Sequence, residues 1–226
     1  MISVTIPTYE MNGTGCFFLD KSFQFLEKQT FKEFEIVISD HSYNDDIMNL
    51  CLKFNNLNIK YIKNEKKRGN SSANLNNAIY NSNFDIIKIL MQDEYIFKEN
   101  TLFEINECFS CKNTNWVATG FFNGNFNCKM IPYYDDYKVI HGHNPIGSPS
   151  IISIRKTQNL EIFNEDLIWL MDCEYYKRLF DKWGQPKIIN DYKIFINHHQ
   201  NQLTNIIKDE IKQKEHLFLK KKYDKN

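Results

Sequence analysis

This chain of 226 residues is poor in alanine, has only eight glycines, and contains no internal repeat or low-complexity block. The residues that fill the space are Asn, Lys, Ile and Phe, a compositional drift that says nothing of function. Net charge is absent too, with 28 Lys and Arg against 28 Asp and Glu. Without a basic face or an aromatic-basic motif there is no nucleic-acid surface, so electrostatic recognition has to be local. No apolar run reaches 18 residues, and the N-terminus opens on Ile2-Ser-Val-Thr-Ile-Pro7 with neither a basic stretch nor a small-residue cleavage site. The expectation is a cytoplasmic chain. Six cysteines (Cys16, Cys51, Cys108, Cys111, Cys128, Cys173) are scattered. Cys108 and Cys111 form one C-x-x-C, but no second pair or suitably spaced histidine completes a zinc site, so the thiols are read as reduced.

What is present is an alternation of strands and helices over about the first 95 residues. Ile2 to Pro7 is β-rich and ends on a proline, and Leu19, Phe23 and Leu26 then recur at helical spacing. Phe34 to Ile38, Ile59 to Ile62 and Ile86 to Leu90 read as further strands, with helices capped near Asp45 or Asp46 and at Ser71 between them. This rhythm predicts one α/β domain on a mostly parallel sheet with helices on its faces. Beyond Thr101 the pattern loosens into a helix, a strand over Trp116 to Phe122, and a Gly-, Asn- and Tyr-rich segment to Pro149, a candidate binding loop. A strand to Arg155 and a helix carrying Trp169, Cys173, Tyr176 and Phe180 follow. The tail from Ile206 holds seven lysines against four acids. It reads as a solvated helix or as one lying against anionic lipid.

The informative acids stand at strand ends. Asp93 and Glu94 follow the apolar run Ile86 to Met91, Asp40 follows the second strand, and Pro7-Thr-Tyr-Glu10 follows the first. Ligands of open α/β sheets bind beyond the carboxyl ends of the strands, so these groups point toward one nucleotide-sized crevice. Carboxylates there suit Mg²⁺ or Mn²⁺, completed by water and phosphate oxygens; the competing reading is a helix cap or a solvated turn.

In order and spacing, several segments resemble the family 2 glycosyltransferases of GT-A fold: Val4-Thr-Ile-Pro-Thr-Tyr9, Phe34-Glu-Ile-Val-Ile-Ser-Asp-His-Ser42, Gly69-Asn-Ser-Ser-Ala-Asn-Leu-Asn-Asn-Ala78, Ile87-Lys-Ile-Leu-Met-Gln-Asp-Glu94, Gly147-Ser-Pro-Ser150 and Trp169-Leu-Met-Asp-Cys-Glu174. The likeness spans about residues 1 to 200 and implies a Rossmann-like, mostly parallel sheet with helices on both faces and a smaller acceptor-side portion. By residue, it implies that Pro7, Thr8, Tyr9, Glu10, Asp40, Asn74, Gln92 and Asp93 border the nucleotide. It also implies that Asp93 and Glu94 hold a Mn²⁺ or Mg²⁺ ion, and that Asp172 is the general base. Glu10 replaces a frequent Asn, Glu94 a frequent Asp, and Asn74 falls where Arg is common, so Arg68 is the substitute for the diphosphate. Further contacts are assigned to His198 and His199 on the cofactor side, and to His143 and Ser148 as acceptor or diphosphate contacts. The implied activity is inverting transfer of a sugar from a nucleotide sugar, with UDP favoured, to a glycan or lipid-linked acceptor. The division is residues 1–100 for the donor, 101–205 for the acceptor, and 206–226 as a basic tail with a possible role at the inner face of a membrane.

Two other readings compete. A sugar nucleotidylyltransferase needs a glycine-rich phosphate loop after the first strand, and Thr8 to Gly15 offers no basic residue. A binding module of the same fold without turnover is opposed by the set Asp40, Asp93, Glu94 and Asp172. For Asp172 alone the plain alternative is a helix acid paired with Lys177 or Arg178, and Glu165 and Asp166 are rival bases.

Overall fold

The computed structural model describes residues 1–200 and 202–224. Residue 201, in the expected acceptor portion, and residues 225–226, the end of the expected tail, lie outside the described residues.

The elements in chain order are β1 (Ile2–Thr8), α1 (Gly15–Glu27), β2 (Phe34–Asp40), α2 (Asp46–Cys51), β3 (Ile59–Lys63), α3 (Ser71–Tyr80), β4 (Ile86–Ile89), β5 (Glu94–Ile96) and α4 (Thr101–Ser110). They continue as β6 (Trp116–Asn123), β7 (Lys129–Met130), α5 (Asp136–Ile140), β8 (Ile152–Arg155), α6 (Met171–Trp183), β9 (Lys187–Ile196), α7 (Leu203–Ile206) and α8 (Asp209–Tyr223). One sheet runs in the order β3-β2-β1-β4-β8-β6-β9-β5, with β7 on β6. The first four strands are mutually parallel, as the alternating pattern predicts, and β6 and β9 are parallel as well. β8 runs against β4 and β6, and β5 against β9. Every residue of β1 and β2 is buried, which requires cover on both faces of the sheet.

Pro7 was expected to end β1, yet the strand continues to Thr8. The ladder with β4 stops at Thr5–Ile89, while that with β2 continues to Thr8–Asp40. A residue without an N–H cannot extend the first ladder, and it costs the second nothing when its nitrogen faces the other way. Thr5 indeed accepts from Leu90 and Thr8 from His41, so odd and even positions face opposite neighbours. The proline thereby frees the β1 end from β4 at the edge where the candidate acids stand.

The tail is an ordered part of the fold. Glu215 of α8 is buried, and its carboxylate accepts the N–H groups of Ile168 (2.8 Å), Trp169 (2.9 Å) and Leu170 (2.7 Å). Leu219 is buried beside it, and Lys222 and Tyr223 reach Glu174 of α6 at 2.8 and 2.9 Å. The expectation of a simply solvated helix is therefore corrected: one face of α8 braces the start of α6, and Lys220 and Lys221 remain exposed. Among the described residues no helix is long and apolar enough to cross a membrane.

Candidate active site

At the carboxyl edge of the parallel strands, buried polar side chains fix the loops. Asp40 is wholly buried; its carboxylate accepts from Thr8 Oγ1 (3.1 Å), Ser42 N (3.0 Å), Ser42 Oγ (2.6 Å) and Tyr61 OH (2.7 Å), with Lys63 Nζ at 3.8 Å. So many internal donors leave little of this carboxylate for a base. Asn74 donates to the Thr8 carbonyl (3.1 Å) and accepts from Ser39 Oγ (2.6 Å), sewing β1 to β2. Gln92 treats Tyr9 as a strand would, accepting from its N–H at 2.9 Å and donating to its carbonyl at 3.0 Å. The same amide also donates to Gly15 O, where a Cβ would lie 2.3 Å from the Tyr9 carbonyl, so the loop after β1 closes only on glycine. Tyr9 itself is partly exposed, and burial together with the nearby Asp93 and Glu10 charges raises its phenol. Glu10 accepts through its backbone carbonyl from Gly13 and Gly15 and starts a short 3-10 turn.

Asp93 and Glu94 part company. Glu94 begins β5, an element not anticipated, and successive side chains at a strand start diverge. Its carboxylate turns inward, buried, and accepts from Ser148 Oγ at 2.7 Å. Burial and the Asp93 charge push it well above the ordinary carboxylate range. Lys88, fully buried inside β4, faces the same interior; desolvation lowers its ammonium, which donates to the Ser150 and Ile152 carbonyls. Asp93 instead stays partly exposed, with Oδ2 2.7 Å from His199 Nε2. His199 is stacked on Phe18 of α1 at 4.7 Å, and Asn197 donates to the Asp93 carbonyl. The two carboxylates thus have separate partners, Ser148 for Glu94 and His199 for Asp93. No group of three or more His, Cys, Asp or Glu side chains gathers among the described residues, so a cation here needs outside ligands. A carboxylate oxygen and an imidazole nitrogen side by side fit such a cation, with diphosphate oxygens and water completing its shell. Among the described residues the buried Nδ1 of His199 has no hydrogen-bond partner, so none of them commits Nε2 to the acceptor role.

Asp172 sits in the first turn of α6. Oδ1 accepts from Cys173 N at 2.7 Å and Oδ2 from Asn144 Nδ2 at 2.6 Å. Desolvation outweighs these donors and raises the carboxyl to about 6. Among the described residues it has no ion pair: Lys177 binds Asp136 and Asp181, and Arg178 binds Glu174 and Glu161. The rival Glu165 is held by Lys67 and Asn76, which ties the segment before α6 to α3. A run of contacts joins Asp172 to the strand-end acids: Asp172 to Asn144, Asn144 to the Gly147 carbonyl at 2.8 Å, and the next residue, Ser148, to Glu94.

Other expected residues lie apart from this path. Arg68 stacks over Tyr43 at 4.4 Å and pairs with Glu65; among the described residues no hydrogen bond or ion pair links it to Asp93. His198 turns away from His199 to Asn123 at 2.8 Å, and His143 is exposed. Residues that sequence reasoning missed are Asn144, Tyr176, Ser150, Lys88 and Phe18. Only Lys88 carried a signal, as a lone charge inside an apolar strand.

A mixed α/β sheet of this kind, with its first four strands parallel and helices packed on it, matches the GT-A glycosyltransferase fold. Residues 3–180 match the sequence model for glycosyl transferase family 2, and the chain belongs to that family. Its structure is similar to that of S. aureus TarS 1-349 in complex with UDP, with a TM-score of 0.70 and 18% identity over 88% of this chain and 61% of that one. The UDP-GlcNAc complex of TarS 1-349 matches with a TM-score of 0.68 and 17% identity, over 92% and 61%. A mannosyltransferase from Pyrobaculum calidifontis, PcManGT, in complex with GDP-Man and Mn²⁺, matches with a TM-score of 0.65 and 15% identity, over 86% and 56%. This chain therefore spans about three-fifths of those structures, and at such identities the likeness is one of fold. Among curated protein sequences none matches it.

Proposed function

We propose that this chain is an inverting glycosyltransferase that moves a sugar from a nucleoside diphosphate sugar, a UDP-sugar by preference, to a hydroxyl of a glycan or lipid-linked acceptor. The observation that supports the reading is the run of contacts from Asp172 through Asn144 and Ser148 to Glu94, the neighbour of Asp93, because it links the helix-borne carboxylate to the strand-end acids. Residues 1–100 bind the donor, residues 101–205 present the acceptor to Asp172, and α8 props the start of α6.

In the reaction the acceptor hydroxyl gives its proton to Asp172 as its oxygen bonds to the anomeric carbon. The bond from that carbon to the diphosphate breaks on the opposite side, which inverts the centre. A base near 6 is ionised at neutral pH yet takes up a proton more readily than an ordinary aspartate. Asp93 and His199 would hold a Mn²⁺ or Mg²⁺ ion, which when bound supplies charge to the departing diphosphate. Glu94 is the inner anchor of the acceptor loop, through Ser148.

Binding is tested by melting. UDP with Mn²⁺ is expected to raise Tm, by about 2.7 kcal/mol of stability at a hundredfold excess over Kd. Asp93→Ala and His199→Ala should each remove the Mn²⁺-dependent part of that rise. A flat response to every nucleoside diphosphate would overturn the reading.

A further inference from the structure

Asn144 belongs to no motif, yet its side chain makes four hydrogen bonds at the junction of the two halves. Oδ1 accepts from Ile146 N at 3.1 Å and Gly147 N at 2.8 Å, while Nδ2 donates to the Gly147 carbonyl at 2.8 Å and to Asp172 Oδ2 at 2.6 Å. With its oxygen bound to two backbone N–H groups, the amide has one sensible orientation, since a flip would set donors against donors. The direction of the bond to Asp172 is therefore fixed by the backbone of the turn. That turn is docked on α6 a second time: Tyr176 OH, one helical turn beyond Asp172, donates to the Gly147 carbonyl at 3.0 Å. Gly147 has φ +103°, and a Cβ there would come within 2.9 Å of the Phe121 ring, so the turn is also held to β6.

We propose that Asn144 is the positioning residue of the general base, holding Asp172 Oδ2 from a turn over residues 144–148 whose far end, Ser148, is anchored on Glu94 at the donor edge. The inference rests on the reading of Asp172 as the base. The Asn144 amide only donates to Oδ2, so it favours the ionised carboxylate over the acid. The titratable groups facing Asp172 are Cys173 and Tyr176 on its own helix, with Glu94 across Tyr176. Lys177 is engaged by Asp136 of α5 and by Asp181, and Glu215 of α8 by the backbone of residues 168–170, so the 144–148 turn supplies the adjustable influence.

The discriminating variant is Asn144→Asp, which keeps an oxygen for the Ile146 and Gly147 N–H groups, loses the donor and sets a like charge beside Asp172. The acid limb of kcat/KM, expected near pH 6 in the unaltered protein, should move up by about one unit or more, with activity regained at higher pH. The UDP-induced rise in Tm should be unchanged, which also reports that the variant folds. Asn144→Ala should move the limb in the same direction by less, and serves if the Asp variant fails to fold. A limb that superimposes on the wild type in a folded variant overturns the proposal and leaves Asn144 a turn residue only. Asp172→Asn separates the two readings. If it retains wild-type transfer, the base assignment itself fails; if it is inactive while the Asn144→Asp limb stays put, only the present inference falls.

Discussion

In the regular first half, Thr8 and Asp40 end two adjacent parallel strands, β1 and β2, and Asp93 follows β4, which flanks β1 on its other side. In the second half, Asp172 comes from the first turn of α6, and its partner Asn144 lies 28 residues earlier in an irregular segment. The first arrangement follows from strand direction alone, since parallel neighbours end at one edge. The second is held together by side chains bonding to backbone, with Glu215, Asn144 and Tyr176 doing what a ladder does elsewhere. The comparison teaches that Asp40 and Asn74 in the regular half are consumed in building the edge, whereas Asp172 is held by two hydrogen bonds and, among the described residues, by no ion pair.

The sharpest way to break that comparison is Asp172→Asn. Transfer should fall by about 10³-fold, within the range for a lost general base, while the UDP-induced rise in Tm is retained. In the unaltered enzyme the rate should fall as pH drops through about 6, because protonation removes the base, and it should be level above that pH. A retained rate in the variant would return Asp172 to an ordinary helix acid. Asp40→Asn tests the other half. With four hydrogen bonds accepted from the protein, it should cost about 3 kcal/mol of stability, read from denaturant melts, with the UDP affinity of the folded fraction little changed. Loss of UDP affinity at unchanged stability would instead make Asp40 a direct contact to the base. Glu215→Gln should have the smallest effect, about 2 kcal/mol, since an amide keeps one acceptor for the three N–H groups before α6. If it lowers kcat more than stability, α8 sets the position of Asp172 as well as its support.

Much of the first half was legible. Strand β4 announced itself as an apolar run, and the family motifs fell on β1, β2, α3 and β4 in order. The separate partners of Asp93 and Glu94 were not, because adjacent residues look alike in sequence, and only the start of β5 sends one to Ser148 and the other to His199. His199 and His198 were indistinguishable as neighbours until the chain leaving β9 aimed one at Asp93 and the other at Asn123. The charge of the tail read as a solvated face, since nothing local shows that Glu215 meets three backbone donors some 45 residues earlier. Arg68 was singled out for its charge, but in the structure its partners are Tyr43 and Glu65.

Local pattern by itself determined the parallel core, the edge at which its strands end and the presence of acids there, because periodicity and strand direction are properties of short segments. The partners of those acids were decided by tertiary structure alone: His199 for Asp93, Ser148 for Glu94 and Asn144 for Asp172. A hydrogen bond depends on distance and direction between atoms, and residues separated by 28, 54 or 106 positions acquire both only when the sheet and its loops have closed.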